Sequence, residues 1–169
     1  MDGVPPARSP DLYPVKLRDE IHAVNADIFR DVNNGVYKAG FATTQPAYEE
    51  AFDALFTTLD DLDRRLGRQR FLVGGRLTEA DVRLYTTLAR FDAVYYSHFK
   101  CNLRRLLDYP NLWSYTRDLY SRPAFRQTTD LDHIKRHYYG THGQINPTRI
   151  VPKGPAIDWD EPHHRDRLG

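Results

Sequence analysis

Residues 78–94 read TEADVRLYTTLARFDAV, and no other stretch limits the fold so tightly. On a helix, Ala80, Val82, Leu84, Tyr85, Leu88, Ala89, Phe91, Ala93 and Val94 cover nearly the whole circumference. A helix that is apolar all round has to be surrounded by other elements. Its start is marked: Thr78 and Asp81 stand at the spacing of a capping box, and Leu77 and Val82 at that of a hydrophobic staple. Its few charges, Arg83, Arg90 and Asp92, then need partners. A chain of 169 residues has enough material to enclose one such helix in a single core.

The enclosing segments are helical by the same reasoning. Leu17, Ile21, Val24, Ile28 and Val32 recur at three- and four-residue spacing and predict a first helix that Asn33-Asn34-Gly35 ends. A second runs from Pro46 with Phe52, Leu55, Phe56, Leu59, Leu62 and Leu66 on one stripe before Gly67. Residues 71–75 predict a short extended and turning connection. Further helices are expected over residues 103–107, 110–120, briefly after Pro123, and over 130–139. No run alternates like a strand, so the fold class is an all-α helical bundle. Residues 1–14 read as a proline-rich linker, 15–140 as the helical domain, and 141–169 as an extended proline-containing tail that drapes over the body or is disordered.

Charge and composition exclude several classes. Lys and Arg number 24 against 23 Asp and Glu, a net charge of +1, which offers no basic field for nucleic acid. No segment approaches the roughly 20 apolar residues of a membrane helix, and a single cysteine gives no internal disulfide, so the expected compartment is the cytoplasm. Eleven tyrosines contribute to an aromatic content of 12%, which suits either a pocket for aromatic ligands or ordinary core filling.

Few residues suggest chemistry. Cys101 lies among cations that could activate a thiolate, but a lone cysteine beside apolar residues is more often a packing group. His133 and His137, with His142 or Asp130, could approach one metal, yet no metalloprotease motif or second cysteine accompanies them, so no metal site is expected. Residues 33–42, NNGVYKAGFA, permit a tight turn with left-handed residues that would aim the Tyr37 hydroxyl. Tyr138 and Tyr139 are adjacent on a helix and point about 100° apart, so one can face a cavity while the other packs.

Four strings carry a family resemblance: NNGVYKAGFAT (33–43), FLVGGRLTEADVRLY (71–85), HFKCNLRRLLDYPNLW (98–113) and DHIKRHYYGTHGQINPTRIVPKGP (132–155). The capping box resembles that of the central helix in glutathione-transferase C-terminal domains. The longer strings resemble one branch, the glutathionyl-hydroquinone reductases or Xi-class transferases, from Leu12 to about Asp158. The resemblance implies an enzyme in which a thioredoxin-like domain binds the co-substrate glutathione and supplies a nucleophilic cysteine in a Cys-Pro-Trp-Ala motif. It implies that the helical domain dimerises and binds the hydroquinone, through tyrosines matching Tyr37 and one of Tyr138 and Tyr139, with Tyr138 favoured. This sequence holds no Cys-Pro-Trp-Ala motif, and Cys101 belongs to a helical-domain string, so no catalytic residue is expected here and the isolated chain is expected to be inactive. Its start matches the interdomain linker, as in a fragment or a naturally short product. The competing expectation is a non-catalytic, transferase-like interaction module.

Overall fold

The computed structural model describes residues 10–168, so most of the linker expected over residues 1–14 lies outside the described residues. A 3-10 turn, Val15–Leu17, leads into α1 (Arg18–Asp27), which widens into a π-helical stretch, Ile28–Asn33. Then come α2 (Gly35–Gly40), α3 (Gln45–Leu66) and α4 (Glu79–Arg90), the last extended by a second π-helical stretch, Phe91–Tyr95. A 3-10 turn at Leu106–Asp108 precedes α5 (Pro110–Tyr120), α6 (Pro123–Gln127) and α7 (Leu131–Thr141). Among the described residues the only β pairing is one bridge, Val73 with Arg76, and the fold is the all-α bundle expected.

Helix α4 is the centre of that bundle. It packs against α1, the π-helical stretch after α1, and α5, and its own π-helical extension packs on α7. Only Arg83 and Thr86 are exposed along residues 79–95. Of Arg83, Arg90 and Asp92, Arg83 lies 3.6 Å from Glu79, the Asp92 carboxylate accepts the Leu106 and Leu107 amides at 2.5 and 3.2 Å, and Arg90 donates to the Thr86 carbonyl of its own helix.

The Thr78–Asp81 capping box is present, and Asp81 does more than cap. Its fully buried carboxylate accepts the Thr78 amide at 2.8 Å, the Thr78 hydroxyl at 3.1 Å, the Leu72 amide at 2.9 Å and the Tyr115 hydroxyl at 2.8 Å. One carboxylate thus ties the connection before α4 to α4 and to α5. Burial pushes its pKa up against the pull of these donors. The connection reverses at Gly74 and Gly75, with φ of 63° and 65°, a left-handed pair that other residues adopt only at a cost. A Cβ on Gly74 would also sit 2.6 Å from the Leu17 side chain.

Two local expectations are corrected. Residues 33–42 form no left-handed turn: Asn34 is right-handed helical and α2 follows at once. The glycines there serve packing instead, because a Cβ on Gly40 would lie 2.2 Å from the Phe99 ring. Residues 103–107 are not a helix. Asp92 takes the amides of Leu106 and Leu107, and the chain tightens only into the turn before Pro110.

Beyond α7 the chain lies over the body. Trp159 packs on Trp113 and Tyr120, at 5.4 and 5.1 Å between ring centroids, and the Lys135 ammonium donates to the carbonyls of Pro152, Lys153 and Gly154. The Arg165 guanidinium is buried and donates to the carbonyls of Leu66, Gln69 and Arg70 at 2.7–2.9 Å, closing the end of α3.

Asp81→Ala would strand several buried donors, each costing about 1–3 kcal/mol when unpaired, so we expect a loss of roughly 3 kcal/mol or more. Denaturant unfolding checks this, and a loss below about 1 kcal/mol would mean that those donors find other partners.

Candidate functional site

Three phenols from three distant segments meet at one point. Tyr37 comes from α2, Tyr95 from the end of the π-helical stretch after α4, and Tyr138 from α7. The Tyr138 hydroxyl lies 2.5 Å from that of Tyr37 and 2.9 Å from that of Tyr95, while Tyr37 and Tyr95 stand 3.5 Å apart. Each hydroxyl offers one donor and two acceptor positions, so a closed triangle uses every donor and still leaves lone pairs free. An arriving hydroxyl can therefore donate into the cluster, or accept from it once a Tyr–Tyr bond opens.

The cluster is graded in depth. Tyr95 and Tyr138 are 2% and 5% exposed, whereas Tyr37 is 39% exposed and forms the mouth. Burial pushes Tyr138 up to about 12, with its bond to Tyr37 adding to the rise, and burial raises Tyr95 as well. Both stay neutral near pH 7 and can donate a hydrogen bond. The rings are held by one another: Tyr95 stands at 85° to Tyr138, and Phe99 lies against both Tyr95 and Tyr37 at 5.4 Å between centroids. A cleft of about 230 Å³ opens beside the hydroxyls, lined also by Asn33, Thr87 and Arg90. The Asn33 amide is fixed by donating to the Thr87 hydroxyl at 2.7 Å and to the Arg83 carbonyl at 3.1 Å.

The structure brings Tyr37 and Tyr138 together and leaves Tyr139 outside. The Tyr139 hydroxyl bonds the Ser97 hydroxyl at 2.5 Å and points toward the Ala93 carbonyl, and its ring packs on His98. Sequence reasoning missed Tyr95, which lies one residue past the apolar run that identified the central helix. Cys101 is fully buried, and burial pushes its thiol up to about 12, which suits a packing group and not a nucleophile. Among the described residues no group of three or more His, Cys, Asp or Glu is placed to hold a metal. Of the histidines considered for one, His142 instead faces His98, with ring nitrogens 3.1 Å apart. Elsewhere, a small cavity of about 120 Å³ under the C-terminal segment and a charged groove between α1 and α3 lack any such convergence of phenols.

Residues 45–118 match the family described as glutathione S-transferase, C-terminal domain. Over that span this chain carries a glutathione S-transferase C-terminal domain. Its relatives include the glutathionyl-hydroquinone reductase YqjG of Escherichia coli (strain K12), 51% identical over 160 residues, with 95% of this chain and 49% of that protein aligned. The glutathione-bound structure of YqjG superposes with a TM-score of 0.92, covering 95% of this chain and 52% of that one. The glutathionyl-hydroquinone reductase PcpF of Sphingobium chlorophenolicum is 57% identical over 86% of this chain and 47% of its own length. A Xi-class transferase from Natrialba magadii is 47% identical, with a TM-score of 0.93 over 95% of this chain and 49% of that one. The resemblance read from the four strings is therefore to the right branch of the transferases. The chain spans about half the length of the curated relatives it matches.

Within this transferase domain, the His98–His142 pair backs the tyrosine cluster, since His142 stands at 90° to Tyr138 and lies against Phe99. Burial lowers His98 to about 4, with His142 and Lys100 adding repulsion, and burial and His137 lower His142. Both rings are neutral in the fold, whereas an unfolded histidine takes up its proton near 6.5. Stability from this pair is thus complete above pH 6.5 and lost as pH falls toward about 4. His98→Gln, which keeps a hydrogen-bonding group without a titrating ring, should flatten the fall. Unfolding curves across that range with identical pH dependence in both proteins would contradict this.

Proposed function

We propose that this domain binds the hydroquinone half of a glutathionyl-hydroquinone, as part of a glutathione-dependent reductase that returns the free hydroquinone. The observation that carries the reading is the meeting of Tyr37, Tyr95 and Tyr138. A hydroquinone is a flat ring with two hydroxyls, and it asks for the two things this cleft offers: aromatic edges against the ring, and neutral phenols that donate and accept at its oxygens. The names of the relatives YqjG and PcpF point the same way.

In the proposed reaction a glutathionyl-hydroquinone and a second glutathione give hydroquinone and glutathione disulfide. Residues of this chain hold the ring and orient it. Tyr138, whose hydroxyl makes the two shortest contacts of the cluster, receives a ring oxygen, Tyr95 fixes Tyr138, and Tyr37 closes over the mouth. The thiolate chemistry is assigned to a cysteine on a thioredoxin-like domain and not to Cys101, so this chain alone should bind without turning over. Self-association into a homodimer and residence in the reducing cytoplasm complete the proposal.

Hydroquinone titrated into the chain, followed by the tyrosine ring signals in NMR, should give weak saturable binding. A phenol hydrogen bond is worth about 0.5–1.5 kcal/mol, so Tyr138→Phe should weaken it roughly two- to tenfold. Tyr139→Phe should leave it unchanged. Binding lost with Tyr139→Phe and indifferent to Tyr138→Phe would overturn the site.

A further inference from the structure

The tyrosine cleft has one charged lining residue. Arg90 closes α4, one residue before the π-helical stretch that delivers Tyr95, and it shares the cleft with Tyr37, Tyr95 and Tyr138. Its Nη1 donates to the Thr86 carbonyl at 2.5 Å, which holds the guanidinium along its own helix. Among the described residues no carboxylate lies within ion-pair distance of it, although two turns back Arg83 has Glu79, and Arg30, Arg65, Arg70, Arg104 and Arg105 all have acidic partners. A cation at a helix C-terminus favours the helix dipole, which explains a basic residue there but not its unpaired side facing a cleft.

We infer that Arg90 makes this cleft selective for hydroquinones bearing an anionic ring substituent, a carboxylate above all, which the guanidinium grips while the tyrosines hold the ring oxygens. The inference rests on the hydroquinone reading and deepens it. A guanidinium presents a planar fork of donors that matches a carboxylate, and such charge-assisted bonds are stronger than neutral ones. The cleft, about 230 Å³, exceeds the roughly 150 Å³ that accommodates a benzene ring, so a ring with one substituent has room. The charge is felt at one of the hydroxyls: burial raises the Tyr138 pKa, and Arg90 pulls against that rise. A neutral hydroquinone leaves the guanidinium without a partner, and an anionic one supplies it.

The test compares hydroquinone with 2,5-dihydroxybenzoate as probes of the native chain and of Arg90→Gln and Arg90→Lys, again by tyrosine ring signals at low ionic strength. Partly exposed charge-assisted contacts of this kind predict a preference of about five- to tenfold for the carboxylate in the native chain. It should shrink with added salt, survive only in part in Arg90→Lys, which keeps the charge but not the fork, and fall to about twofold or less in Arg90→Gln. Equal binding of the two probes by the native chain, or a preference that persists in Arg90→Gln, overturns the inference. Glutathione is the third probe. If Arg90→Gln weakens glutathione and leaves the preference intact, the arginine serves the peptide carboxylates and the inference also fails. If neither aromatic probe moves the tyrosine signals, the hydroquinone reading falls and takes the inference with it, whereas equal binding of both removes only the arginine's role.

Discussion

The buried carboxylate of Asp81 gathers donors from three parts of the chain: the Leu72 amide, the Thr78 amide and hydroxyl, and the Tyr115 hydroxyl. Each would be costly to bury alone, and together they settle where α4 begins and how α5 lies against it. The position of α4 then determines the rest. Its C-terminal turn presents Arg90, its π-helical extension presents Tyr95, and that extension is the surface on which α7 packs to bring Tyr138 into place.

Two widened turns of helix shape the cleft. The π-helical stretch after α1 ends on Asn33, and the one after α4 ends on Tyr95, and both residues line the cleft. One additional residue in a helical turn shifts the phase of the later side chains by about 100°, so a side chain that regular spacing would place elsewhere is redirected. Widened turns of this kind recur at functional sites. Here they let α1 and α4 contribute a fixed amide and a phenol to one small space, opposite a phenol from α7.

The same turns mark where reading from sequence stopped. The apolar stripes of α1, α3 and α4 and the Thr78–Asp81 cap were legible because burial and capping impose spacings that any single chain displays. Tyr37 and Tyr138 were legible as oddities and, through the family strings, as a pair, but nothing in the spacing could say that their hydroxyls meet. Tyr95 was not legible, because a tyrosine just past an apolar run looks like more core until the helix is seen to widen before it. Glycines misled for a related reason. Those in residues 33–42 suggested a left-handed turn, whereas Gly40 is small because Phe99 presses on it, a tertiary contact that leaves no local signature.

Arg165 was equally hidden, since its partners are carbonyls about a hundred residues earlier in the chain, and one isolated arginine near the end of a proline-containing segment signals nothing. The central claim, that the three phenols together receive a ring oxygen, is open to direct observation. Intermolecular nuclear Overhauser effects between hydroquinone ring protons and the protein would locate the ligand. Contacts to the rings of Tyr37, Tyr95 and Tyr138, without any to Tyr139, are the expected result. Contacts confined to Trp113 and Trp159, in the cavity beneath the C-terminal segment, would contradict it.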